Sequence, residues 1–174
     1  TVANLCIAFW ECLLSTWMVP QDSRAYMATG NVATCDTQGF IALVTFIVLE
    51  LSYTILSILY WILVARGWSE KQTQRRQIRF CFLGVPLIIA ICIAAPLLVL
   101  GNMNFTGAYS CFVEEYPLNC DIDPETNGEC TRGHNARTAQ EAIFFGVILC
   151  TGIILIFMGL LVRAVRAQES ASDR

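Results

Sequence analysis

From Gly39 to Ala65 the chain carries a single formal charge, Glu50, in a run otherwise built from apolar, aromatic and hydroxyl-bearing residues. An α-helix rises about 1.5 Å per residue, so this run exceeds the roughly 30 Å hydrocarbon core of a bilayer. It reads as a transmembrane helix. Within it Glu50, Tyr53, Thr54, Ser57, Tyr60 and Trp61 recur at spacings of three and four and share one face, while Ile47, Leu49, Leu56, Leu59 and Ile62 cover much of the rest. A carboxylic acid in lipid costs a few kcal/mol unless it finds partners, so the polar face is expected to turn toward a helix bundle or a watery cavity.

Three further apolar runs give candidate spans at about 1–19, 80–101 and 141–165 beside the one at 39–65. The expected fold class is therefore all-α: a polytopic membrane bundle of four transmembrane helices. Composition agrees, with 56% hydrophobic and 14% charged residues and a mean hydropathy of +0.57. The net charge of −3 hides an asymmetry. Arg66, Lys71, Arg75, Arg76, Arg79, Arg163, Arg166 and Arg174 fall on one side of these spans, whereas the loops at 20–38 and 102–140 are acidic. By the positive-inside rule the loop at 66–79 and both ends of the chain are cytoplasmic, and the two acidic loops lie outside. No basic segment or small-residue cleavage site precedes the first apolar run, which is thus not a standard signal peptide. The chain is expected to be a segment of a larger protein.

Glu11 forms a second polar face with Asn4 and Ser15, best satisfied against the polar face of the next span. Pro86 and Pro96 should bend the third span, and Gly146, Gly152 and Gly159 permit close helix approach in the fourth. Gly30-Asn31 suggests a turn, placing Cys35 just outside the membrane at the head of the second span. Of nine cysteines, Cys6, Cys12, Cys81, Cys92 and Cys150 lie in or beside apolar segments and are expected to pack as small hydrophobes. Cys35, Cys111, Cys120 and Cys130 remain on the oxidising side, where three full pairings are open. Asn104-Phe105-Thr106 is an N-glycosylation sequon on that same side.

Enzyme readings lack their usual residues. The single histidine, His134, supports neither a His-based zinc site nor a Ser-His-Asp triad. Asp121-Ile122-Asp123-Pro124-Glu125 lacks the spacing and terminal Glu of a calcium loop. No catalytic residue, metal or cofactor is expected, and no nucleic acid partner. The expected partners are the bilayer, with anionic lipid drawn to the basic loop at 66–79, and proteins at the membrane faces.

The order of these features resembles helices two to five of a seven-helix G-protein-coupled receptor: a polar-striped helix headed by Cys35, a short basic loop, a proline-containing helix, a cysteine-bearing outer loop and a helix leaving through arginines. More closely, the stretches from Gly30 to Phe40, Val64 to Glu70, Gly84 to Leu87 and Cys130 to Ala136 resemble receptor-like proteins of single-celled algae, themselves distantly similar to the slime-mould cyclic-AMP receptors. The resemblance implies a Cys35–Cys111 disulfide, a local Cys120–Cys130 disulfide, and a plasma-membrane receptor coupling an outer stimulus to a heterotrimeric G protein. It implies an outer ligand above Glu11, Glu50, Tyr53 and Ser57, and a G-protein-facing surface at Arg66, Arg75, Arg76, Arg163 and Arg166. Arg66 stands where many receptors carry Asp-Arg-Tyr, but between Ala65 and Gly67. Two other plans compete: a four-span scaffold resembling tetraspanins, although the outer loop has no Cys-Cys-Gly, and a transporter or channel fragment, although the halves show no repeat.

Overall fold

A computed structural model describes residues 15–23, 26–66, 76–107, 110–122 and 124–172, with the side chains of 66, 76–83 and a few short-helix positions left out of the description. The chain is mostly helical. In order come a short helix α1 (Ser15–Met18), a 3₁₀ turn (Gln21–Ser23), the long helices α2 (Val32–Arg66) and α3 (Arg76–Val99), strands β1 (Met103–Phe105) and β2 (Cys111–Val113), a one-turn helix α4 (Pro124–Asn127), and the long helix α5 (Ala136–Ser172). Two helices are long and apolar enough to cross a membrane, Val32–Ala65 and Ala136–Ser170, and Gly84–Val99 is a shorter apolar helix. The candidate span at 1–19, including Glu11, lies outside the described residues except for α1.

Helix α2 begins at Val32, earlier than the expected span start at 39, so Cys35 and Gln38 belong to the helix and not to the preceding loop. The cause is a reciprocal cap. Thr34 N–H donates to Asn31 Oδ1 at 2.9 Å, and Asn31 N–H donates to Thr34 Oγ1 at 2.8 Å, so two of the orphan donors of the first turn are satisfied. The Thr34 hydroxyl reaches on to Met18 O at 2.7 Å, tying this cap to α1. Helix α3 runs through both Pro86 and Pro96 and ends in a glycine cap. There Gly101 has φ +69°, Asn102 N–H donates to Leu97 O, and Gly101 N–H donates to Leu98 O. That bonding is the Schellman pattern, which needs a left-handed residue after the helix.

The chain divides into two compact units. One comprises Thr1–Phe46 and Ala90–Ile143, and holds the loops and the antiparallel β1–β2 pair, in which Met103 faces Val113, Asn104 faces Phe112, and Phe105 faces Cys111. Its core gathers Val19, Cys35 and Cys111 with Ala28 and Phe105 packed against them. Gly39 lets β1 approach α2, since a Cβ there would sit 3.1 Å from Met103 Sδ.

The other unit comprises Ile47–Ile89 and Phe144–Arg174. Within it Trp61 meets Phe157 edge to face with ring centroids 5.4 Å apart, and Gln168 Nε2 donates to Val64 O at 3.1 Å. The expected polar face of α2 divides here. Thr54 and Ser57 are buried, but Tyr53 and Tyr60 are 50% and 49% exposed, in line with exposed Phe46 at sevenfold spacing. Tyr53 therefore belongs to the outward edge of the helix, a small angular offset that spacings of three and four alone do not resolve. Among the described residues a Cβ on Gly146, Gly152 or Gly159 of α5 would meet nothing within 4 Å.

Candidate functional site in the disulfide-braced cap

The unit around β1 and β2 forms a cap fastened to the head of α2 by covalent, ionic and backbone links. Cys35, in the first turns of α2, is disulfide-bonded to Cys111 at the start of β2. Cys120 is bonded to Cys130. These are the two pairs the receptor resemblance implies. In the chain-entropy picture the 76-residue separation of the first is worth about 4.5 kcal/mol and the 10-residue separation of the second about 3 kcal/mol.

Polar contacts reinforce the first link. Cys111 N–H donates to Gln38 Oε1 at 3.2 Å, one turn along α2 from Cys35. Arg132 Nη2 donates to Asp36 Oδ1 at 2.8 Å and to Oδ2 at 3.1 Å. From α5, Gln140 Nε2 donates to Val113 O at 2.6 Å and Glu114 Oε2 at 3.0 Å, so β2 is held from two helices. Arg132 itself is set by a short antiparallel bridge to Tyr116, with Tyr116 N–H donating to Arg132 O and Arg132 N–H donating back. That bridge is the neck of the loop closed by the Cys120–Cys130 disulfide.

Asn104, the sequon asparagine, lies on β1 and is only 3% exposed. Its Nδ2 donates to Gly101 O at 3.0 Å and to Glu114 O at 2.7 Å. A glycan on that nitrogen would remove one of its two buried donations and demand space that the cap fills; in this fold Asn104 is a brace between the end of α3 and β2. The sequon motif marks chemistry; burial decides whether that chemistry is reachable.

A cleft of about 80 Å³ opens among Pro20, Val32, Cys35, Phe105, Tyr116 and Arg132. Sites for drug-sized ligands run to roughly 300–1,000 Å³, so this cleft admits a group of only a few atoms. Its walls come from five separated stretches of chain, and the one formal charge among the described lining residues, Arg132, is already met by Asp36.

The other expected site residues are dispersed. Glu50 is half-buried in α2; among the described residues its carboxylate has no hydrogen-bond or ion-pair partner, and only its carbonyl accepts, from Thr54 Oγ1 at 2.8 Å. Ser57 Oγ donates to Thr54 O at 2.8 Å, so both hydroxyls are spent on their own helix. Arg163 and Arg166 are exposed on the last turns of α5. Arg66 ends α2 and Arg76 begins α3, with side chains outside the described set, and Arg75 is outside it altogether.

Among the described residues one group has metal-ligating types close together: Glu115, Cys120 and Cys130, whose ligand atoms lie within 4.8 Å of one another. Both sulfurs are bonded to each other, so neither is the thiolate that a metal requires. Arg132, Asp36, Gln38 and Gln140 have no place in the sequence-derived site, although Asp36, Gln38 and Arg132 all lie in the stretches that carry the receptor resemblance. No family model, no curated protein and no solved structure matches the chain.

Proposed function

We propose that the chain is part of a polytopic membrane receptor that carries an outer stimulus to a cytoplasmic G protein. The observation that carries this reading is the Cys35–Cys111 link: a cysteine in the first turns of a long apolar helix, bonded to a strand of a folded cap. Such a link makes the position of the cap depend on the position of a spanning helix. A stimulus that binds two cap arrangements with different affinity then shifts the helix equilibrium by that difference. Further support comes from α5, where Phe144, Phe145, Ile148, Leu149, Leu155 and Ile156 are all exposed, a surface suited to lipid or to further helices and not to water. The spans at 1–19, 39–65, 80–101 and 141–165 put the cap outside, and Arg66, Arg75, Arg76, Arg163 and Arg166 at the plasma membrane's inner face, where a G protein binds.

The test is nucleotide exchange by purified heterotrimeric G protein on the complete reading frame reconstituted in nanodiscs. Stimulus-dependent exchange that Arg66→Ala abolishes, with ligand affinity held within a few fold, is the expected result. A correctly inserted protein with three additional spans that drives no exchange on any G-protein class overturns the reading.

A further inference from the structure

We propose that Cys130 is a thiol-exchange site on the cap and that Glu115 holds the Cys120–Cys130 disulfide in its closed form. The two disulfides differ in access. Cys35 and Cys111 are 2% and 1% exposed, sealed in the core with Val19, whereas Cys130 is only half-buried and its partner Cys120 is 2% exposed. Of the four disulfide-bonded cysteines Cys130 is thus the least buried, and its sulfur is the one an incoming thiolate meets first.

The exchange is balanced as follows. A small-molecule thiolate attacks Cys130 Sγ, the Cys120–Cys130 bond breaks, and its electron pair leaves on Cys120 Sγ, which takes a proton from water. A second thiolate attacks the external sulfur of the mixed disulfide and releases the Cys130 thiolate. Two external thiols are oxidised to one disulfide, and the cap cystine is reduced to two cysteines.

Glu115 stands at the place where this charge develops. It is only 6% exposed, one carboxylate oxygen lies within 4.8 Å of both sulfurs, and among the described residues no cation pairs with it. A buried carboxylate beside a leaving thiolate raises the cost of that thiolate, and the same field repels an anionic attacking thiol. The side chain that looks like a spare metal ligand thus acts as an electrostatic guard of a disulfide. Opening has a defined route inward. The loop from 117 to 131 closes on the Tyr116–Arg132 bridge, and Arg132 holds Asp36 in the first turns of α2.

The experiment uses the oxidised chain in detergent or nanodiscs, exposed to cysteamine, mercaptoethanol or mercaptoethanesulfonate, quenched by alkylation and mapped by peptide mass spectrometry. Cys120 and Cys130 are expected to be alkylated while Cys35 and Cys111 stay bonded. Glu115→Gln should open the bond about tenfold faster with the neutral thiol and shrink the rate advantage of the cationic thiol over the anionic one. Glu115→Asp, which keeps the charge, should stay close to wild type. Opening of Cys35–Cys111 first or at the same rate in the wild type overturns the proposal. So does a Glu115→Gln protein with unchanged rates and thiol preference, or a Glu115→Asp protein that opens as fast as Glu115→Gln.

Discussion

Arg132 reaches across 96 residues of sequence to Asp36, with Nη2 at 2.8 Å and 3.1 Å from the two carboxylate oxygens, and so joins the end of the disulfide loop to the head of α2. The pair is partly shielded, with side-chain exposures of 27% and 22%. Partial shielding places its worth near the upper end of the range for accessible ion pairs, about 1 kcal/mol. Asp36→Asn and Arg132→Gln should each lower thermal stability, and a double-mutant cycle should return a coupling of about 0.5–1.5 kcal/mol that shrinks with added salt. Additive effects would show that the two side chains are neighbours without mutual support.

Asn104 tests the distinction between a motif and a site. Expressed in the membranes of cells that glycosylate, the protein should show no mass shift at Asn104 after endoglycosidase treatment. Asn104→Asp keeps the shape but loses both donations to Gly101 O and Glu114 O. Leaving buried carbonyls without donors costs about 1–3 kcal/mol, so the variant should melt well below wild type. A glycan found at Asn104 on folded protein would contradict the cap as described.

Much of this architecture was readable from the chain, and the failures share a physical cause. Long apolar runs announce α2, α3 and α5 because bilayer thickness and helix rise leave little choice of element. The start of α2 leaves no plain mark in the sequence because Asn31 and Thr34 form an unusual reciprocal cap, while Thr34, Asp36, Thr37 and Gln38 look like loop. Strands β1 and β2 are three residues each, too short for a period of two to register. Tyr53 and Ser57 share a face by spacing, yet only Ser57 is buried, because which edge of a stripe turns inward is set by the neighbouring helix. The Asp36–Arg132 and Gln38–Cys111 contacts leave no local trace, since each joins segments that meet only after folding.

Two glycines with the same backbone need separate close approach from conformation. Gly133 has φ +75°, and a Cβ there would come within 2.5 Å of Glu114 O and 2.8 Å of Glu115 Cα. Gly128 has φ +81° with nothing within 4 Å among the described residues. Gly128→Ala should cost only the left-handed backbone penalty, about 1 kcal/mol, whereas Gly133→Ala adds a backbone clash and should cost at least about 3 kcal/mol or prevent the Cys120–Cys130 bond from closing. Thermal melts with free-thiol titration measure both.

The glycines of α5 ask whether the surface they line meets a further helix besides α2. Among the described residues, a Cβ on Gly146, Gly152 or Gly159 touches nothing within 4 Å. Glycine is about 1 kcal/mol poorer than alanine inside a helix, so nothing in the described fold repays its presence at these positions. If lipid alone covers this surface, Gly152→Ala and Gly159→Ala should be neutral or stabilising by up to about 1 kcal/mol each, and Gly152→Leu should be tolerated. If a further helix of a longer chain packs there through small residues, leucine at Gly152 should disrupt assembly of that longer chain while the 174 residues by themselves are unaffected. Comparing melts of the two lengths with the same substitution therefore reads out directly whether α5 is a lipid-facing edge or an interior helix of a larger bundle. Equal loss in both would mean that Gly152 has a close neighbour within this chain, against the packing described for α5.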